Sequence, residues 1–177
     1  MVLRIFFLIA LVFAFLHLGQ ATKCDPEIVA KIEKIWNGNV PQYIISTAIA
    51  NVKEVVVGTT HDYYPEGTNC VYSFFMKDRV LIVYVFQNGT TSVQDTPVVE
   101  SNGTTYAPGS ATVRYHVFTK GGVTALYTCT KDGKEGAAKG LVKLRYSKYD
   151  PADVEEAKEV LKSIGVEITD EYPDHCC

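Results

Sequence analysis

The chain has 177 residues, 47% of them hydrophobic, and a formal net charge of −3 at pH 7. It contains no lysine- or arginine-rich stretch, which argues against nucleic acid as a partner. Its length fits one domain with a sizeable buried core.

Arg4 gives a short positive start to an apolar run over residues 5–18, broken only by His17. Gly19, Gln20 and Ala21 follow with the small-residue spacing of a signal-peptidase site. The run is shorter than the roughly 20 apolar residues a membrane span needs. Residues 1–21 are therefore expected to be a cleaved secretory signal, and residues 22–177 a secreted, extracellular domain with no membrane segment.

Asp25 and Pro26 open a helical pattern, with Ile28, Ile32 and Ile35 on one face and Asn37-Gly38-Asn39 as its stop. Residues 43–49 read as a strand, and residues 52–57 as a second strand or its continuation. Residues 61–69 form a tyrosine-rich loop that could border a barrel mouth. Strands over 70–76 and 80–86 meet across Lys77-Asp78-Arg79. Asn88-Gly89 turns into a weaker strand over 91–99, limited by Pro97, and Asn102-Gly103 turns again. Strands over 112–119 and 123–130 join through Gly121-Gly122, and residues 141–146 are the last clear strand. Asp150 then caps a helix with Pro151 at its first position. Val154, Ala157, Val160, Leu161 and Ile164 form its apolar face, and Gly165 stops it.

Short strands divided by Gly/Asn turns predict an all-β fold. The expected form is an eight-stranded antiparallel up-and-down barrel with a short N-terminal helix and a C-terminal helix packed on its wall. A sandwich is the alternative. The late amphipathic helix favours the barrel, because it needs an apolar outer wall.

The five cysteines, Cys24, Cys70, Cys129, Cys176 and Cys177, all fall in the expected secreted part, where disulfides are the default. An odd number leaves one thiol over. No Cys-x-x-Cys pair occurs and the histidines are scattered, so no metal site is expected. Asn88-Gly-Thr and Asn102-Gly-Thr are glycosylation acceptors in turn-like settings.

No catalytic set is visible. Ser46 and Ser73 sit in apolar strands, no Gly-x-Ser-x-Gly elbow exists, and Glu155-Glu156 belong to the solvated face of the helix. The chain therefore reads as a non-enzyme without a cofactor. More telling are the aromatics Tyr43, Tyr72, Phe74, Tyr84, Phe86, Tyr115 and Tyr127, all in predicted strands. Alternation gives one face to Tyr72, Phe74 and Met76, and one to Tyr84 and Phe86. Plain core is the commoner fate of any single aromatic. Buried tyrosine hydroxyls must be paired, however, so a barrel lined by several suits a small ligand with a few polar atoms.

Residues 115–168 resemble the end of a lipocalin. The run Tyr-His-Val-Phe-Thr-Lys-Gly-Gly-Val-Thr-Ala-Leu-Tyr-Thr-Cys-Thr-Lys is similar to the family's penultimate strand pair, and Gly140-Leu-Val-Lys-Leu-Arg145 to its last strand with a closing arginine. Trp36-Asn-Gly-Asn-Val-Pro-Gln-Tyr43 resembles the barrel opening of salivary lipocalins from blood-feeding arthropods. The family's tryptophan after the glycine is missing, with Pro41 near its place. Trp36 either substitutes for it or packs beneath the barrel.

The resemblance implies the bridges Cys24–Cys129 and Cys70–Cys177, with Cys176 as alternative partner and the odd cysteine free, capped or joined to a second chain. It also implies sequestration of a small host mediator, a lipid mediator or a biogenic amine, with effects on haemostasis or inflammation. A protein-binding antagonist of a coagulation or platelet factor, acting through mouth loops, and a carrier of an endogenous hydrophobic ligand are the alternatives. Haem is not expected, since no histidine lies between Cys70 and Tyr115. His61 belongs to the mouth loop, and His116 is expected to be structural or outward-facing. Amine capture needs inward-facing acids, whereas an anionic lipid needs basic residues. Arg114, Lys143 and Arg145 lie in strand segments with few acids, which tilts the reading toward an anionic or neutral lipid.

Overall fold

The computed structural model describes residues 22–37, 52–76, 78–101, 103–134, 137–145 and 149–175. The expected signal segment, the strand over 43–49 with Tyr43, the acceptor Asn102, and Cys176 and Cys177 lie outside them.

Helix α1 spans Pro26–Trp36, and Asp25 caps it by accepting a 2.8 Å hydrogen bond from the Glu27 amide. Nine strands follow: β1 (Val52–Thr59), β2 (Thr68–Phe75), β3 (Arg79–Phe86), β4 (Thr91–Pro97), β5 (Val99–Ser101), β6 (Thr104–Tyr106), β7 (Thr112–Lys120), β8 (Val123–Thr130) and β9 (Lys139–Leu144). Helix α2 (Pro151–Ser163) is capped by Asp150, whose side chain accepts from the Ala152 amide at 2.9 Å. A two-residue strand, β10 (Asp170–Glu171), pairs with β1.

The strands form one antiparallel meander in the order β4-β3-β2-β1-β9-β8-β7-β6-β5. The two ends of this path, β4 and β5, are consecutive in the chain and separated only by Val98. The wall thus curls into a nearly closed up-and-down barrel whose seam is the chain itself, bending after Pro97. Proline has no N–H for the ladder, and the break divides one expected strand into two. With the unexpected β6 added, and the expected strand over 43–49 lying outside the described residues, the described wall has nine strands where eight were expected.

Gly121 and Gly122, at φ +56° and +83°, make the two-residue turn between β7 and β8, which needs positive φ at both positions. A second glycine works by being small. A Cβ on Gly140 would lie 2.5 Å from Val166 Cγ1 and 3.1 Å from the Leu126 carbonyl oxygen.

The larger core lies outside the barrel. Val154, Ala157 and Leu161 of α2, with Ile164 and Val166 after it, pack against Val117, Val123, Ala125, Tyr127, Val142 and Leu144 on the outer face of β7–β9. Ile28 and Ile32 of α1 join the same cluster. A smaller cluster, Val56, Val71, Tyr84, Leu126 and Leu141, faces the interior.

Cys24 bridges to Cys129 across a sequence separation of 105, with Cα atoms 4.8 Å apart. The amide of Cys24 also donates to the Thr130 carbonyl at 3.0 Å, laying the N-terminal arm along the end of β8. Cys70 is disulfide-bonded as well. Its expected partner, Cys177 or Cys176, lies outside the described residues.

Candidate functional site

The barrel holds a partly open cavity of about 360 Å³, near the lower end of ligand pockets, which run from about 300 to 1,000 Å³. Strand parity decides what faces it. Val71, Ser73 and Phe75 point inward from β2, and Val80, Ile82 and Tyr84 from β3. From the opposite wall come Thr112, Arg114 and His116 of β7, Leu126 and Thr128 of β8, and Lys139, Leu141 and Lys143 of β9.

One end is covered by the loop between β1 and β2, which places Tyr63, Tyr64 and Pro65 over the cavity. Tyr64 meets Tyr63, Tyr84 and Tyr172 edge-on, with ring centroids 4.9, 5.7 and 6.0 Å apart. The Tyr63 hydroxyl pairs with Thr128 Oγ1 at 2.8 Å, and the Tyr84 hydroxyl donates to Gln94 Oε1 at 3.1 Å. Lys139 Nζ donates to the His61 carbonyl at 2.5 Å, tying the loop to the start of β9. Burial raises the Tyr64 pKa well above its ordinary value, reinforced by Tyr63 and Tyr84 and opposed by the positive charge of Arg114.

At the other end, Lys143 and Glu54 form a buried ion pair with Nζ 2.5 Å from Oε2. The Lys143 ammonium also lies 4.8 Å from the Phe75 ring centroid. His116 is 3% exposed. Burial, helped by the charge of Lys143, lowers its pKa to about 3, so it is neutral at physiological pH.

The aromatic lining expected from sequence is corrected at most positions. Tyr84 does line the cavity. Phe86 is half-buried against the inner cluster but beyond the cavity. Tyr72 and Phe74 stand on the opposite face of β2, edge-on to each other at 5.7 Å, with Lys53 Nζ 4.5 Å from the Tyr72 ring centroid. Tyr115 and Tyr127 belong to the outer core, where both faces of β8 are covered. There the Tyr127 hydroxyl accepts a 3.1 Å hydrogen bond from the Asp25 amide.

Of the two expectations for His116, the outward-facing one is corrected, because the side chain is buried and faces inward. Trp36 packs against the outer core, and its Nε1 donates to the His116 carbonyl at 2.7 Å. Of the flagged bases, Arg114 and Lys143 line the cavity, whereas Arg145 lies in a separate surface hollow near Tyr149 and His175. Sequence reasoning missed Phe75, Thr105, Thr128, Lys139 and the Glu54–Lys143 pair. The one sequence signal for the inward set was the polar alternation Thr112, Arg114, His116, which resembles a solvated face.

Among the described residues, no cluster of three or more His, Cys, Asp or Glu side chains could hold a metal ion. None of their helices is long and apolar enough to cross a membrane.

No protein-family model matches the chain, and the comparison with curated proteins finds no match. Solved structures do match. Lobster apocrustacyanin A1 superposes with a TM-score of 0.56 at 15% identity, covering 89% of this chain and 93% of that one. The cockroach allergen Per a 4 gives 0.54 at 17% identity, over 70% of this chain and 83% of its own. The siderocalin Ex-FABP gives 0.53 at 14% identity, over 73% and 93%. The fold is a lipocalin fold. At these identities the likeness establishes the architecture, a lipocalin barrel with a C-terminal helix on its wall, and the chemistry must be read from the cavity itself.

Proposed function

We propose that this lipocalin-fold chain is a secreted binding protein that takes up one small amphipathic molecule in its barrel and removes it from solution. The single observation that carries this reading is the 360 Å³ cavity, with apolar walls and a few polar groups, under a tyrosine-bearing loop. Binding is stoichiometric and involves no turnover in this reading, since the Tyr63–Thr128 and Glu54–Lys143 pairs are structural and form no nucleophile–base arrangement. Secretion is supported by the signal-like residues 1–21 and by the Cys24–Cys129 bridge. The resemblance to salivary lipocalins suggests that the molecule removed is a host mediator of haemostasis or inflammation. The solved relative Ex-FABP is described as functioning through dual ligand specificities, in keeping with a binding role for such a barrel.

Asn88 is proposed to carry a glycan. It sits in the exposed β3–β4 turn, and its Oδ1 accepts from the Thr90 amide at 3.0 Å and from Thr90 Oγ1 at 2.7 Å. Those bonds leave the Nδ2 atom to be modified without loss of either.

The binding reading is tested by titrating the purified protein with the neutral dye Nile red, alongside native mass spectrometry for co-purified small molecules. One dye per barrel is expected, with uptake weakened by Leu126→Trp, which adds bulk to the cavity wall. A wild-type protein that takes up no dye would overturn sequestration and leave a protein antagonist acting through its loops.

A further inference from the structure

The register of four neighbouring strands assembles a feature that no single strand displays. Thr105 on β6 pairs with Arg114 on β7, Arg114 with Thr128 on β8, and Thr128 with Lys139 on β9. Residues directly opposite one another project from the same face of a sheet, and all four line the cavity. The result is a continuous cross-strand row of hydrogen-bond donors, two of them cationic, directly beneath the Tyr63–Tyr64 loop.

The charges in this row and around it are not equivalent. Lys143, deeper in the barrel, is neutralised by Glu54, and His116 is uncharged. Lys139 uses one of its three N–H donors on the His61 carbonyl and keeps two. Among the described residues, no carboxylate lies within ion-pair distance of Arg114. The acid that does line the cavity, Asp62, is at the rim, 78% exposed, and 3.3 Å from His61 Nε2. Of the buried acids near the barrel interior, Glu54 is paired with Lys143, and Glu100, opposite Thr105 on β5, is engaged elsewhere and does not line the cavity. A cationic guest would therefore stand against Arg114. An anionic guest would find a planar fork of donors flanked by two hydroxyls and an ammonium. That is the arrangement a buried carboxylate needs, because its charge must be paired and its remaining lone pairs satisfied.

We infer that the molecule held in the barrel is a carboxylate-bearing amphiphile, its head group seated on the Thr105–Arg114–Thr128–Lys139 row and its apolar body directed toward Phe75, Val80 and Val98. This rests on the binding reading above and names the ligand class for the same cavity. It excludes biogenic amines as the principal ligand.

The test is displacement of Nile red from the full-length secreted protein by oleate, oleyl alcohol and oleylamine, which share one chain and differ in the head group. Oleate should bind about ten- to a hundredfold more tightly than the alcohol, the range expected for hydrogen bonds to a charged group, and the amine should bind weakest. Arg114→Met should erase the preference for oleate over the alcohol. Arg114→Lys should restore part of the preference. The wild-type series needs no variant to fold, so it decides the matter alone if Arg114→Met is unstable. Equal displacement by all three compounds, or strongest displacement by the amine, overturns the anionic head group and leaves cavity binding standing. Failure of Nile red itself to enter the barrel overturns the binding reading, and this inference with it.

Discussion

Strands β7, β8 and β9 present two faces of opposite character. Their outer face carries Val117, Val123, Ala125, Tyr127, Val142 and Leu144, sealed beneath α1 and α2. Their inner face carries Arg114, His116, Thr128, Lys139 and Lys143, bordering a cavity. In most single-layer sheets the apolar face is the inside and the polar face the solvent side. Here the helices turn the outside of the wall into the main core, which leaves the interior of the barrel able to hold charge. The fold is held together on one side of these strands and binds on the other.

The largest way to break this division acts on the outer face alone. Replacing Cys24 and Cys129 by serine opens a crosslink across a sequence separation of 105, worth about 4 to 5 kcal/mol in the chain-entropy account. Urea denaturation should register that loss. Oleate affinity under native conditions should change by less than about twofold, since neither cysteine lines the cavity. A large drop in affinity at unchanged fold would show that the two faces are coupled.

A matched pair of truncations sharpens the contrast. Leu161 is fully buried between α2 and the wall, whereas Leu126 is almost as buried but borders the cavity. Leu161→Ala creates a new void in close-packed surroundings and should cost about 3 to 4 kcal/mol. Leu126→Ala enlarges a space that already exists and should cost about 2 kcal/mol while changing ligand affinity. Equal costs would mean that the inner wall is packed as tightly as the outer.

The third test is pH dependence. His116 has a pKa of about 3 in the folded protein, against an ordinary value of 6.5. The unfolded chain therefore takes up a proton below about pH 6.5 that the folded chain refuses until about pH 3. This stability is fully present above pH 6.5 and is lost as the pH falls toward 3. His116→Gln should remove that part of the acid sensitivity, so the urea midpoints of variant and wild type should diverge between pH 7 and pH 4. Parallel curves would place His116 in contact with solvent, contrary to its position beside Lys143.

Much of this organisation is legible in the amino-acid order. Asp25-Pro26 and Asp150-Pro151 mark both helix starts, and Gly121-Gly122 marks the tightest hairpin, because caps and positive-φ turns are local chemistry. Strand parity is not local. Strand β8 reads Val-Thr-Ala-Leu-Tyr-Thr-Cys-Thr and is buried on both faces, so its alternation separates two faces without telling which one borders the cavity. In β2, Phe74 and Phe75 are adjacent and equally apolar, and only tertiary closure sends Phe75 inward. The donor row was out of reach for a related reason. Thr105, Arg114, Thr128 and Lys139 become neighbours through three registers, and bulges such as the one between His116 and Phe118 shift those registers without a strong sequence mark.

The smallest and sharpest comparison removes a single oxygen from each face. Tyr127 and Tyr84 are both buried strand tyrosines with one hydroxyl partner apiece. On the outer face, the Tyr127 hydroxyl accepts the amide of Asp25, the residue that caps α1 and follows the bridged Cys24. Tyr127→Phe leaves that partly buried N–H without its acceptor, at a cost of about 1 kcal/mol. It should loosen the N-terminal arm, seen as faster amide exchange at residues 23–29, with no change in oleate affinity. On the inner face, the Tyr84 hydroxyl donates to Gln94, an exposed side chain that water can satisfy in its place. Tyr84→Phe should therefore cost less than about 0.5 kcal/mol in stability. Its effect should be on the ligand, because the same ring lines the cavity and meets Tyr64 of the covering loop edge-on. If Tyr127→Phe alters binding, or Tyr84→Phe alters stability more than binding, then the division between a cohesive outer face and a binding inner face is wrong at the positions where it is most exposed to test.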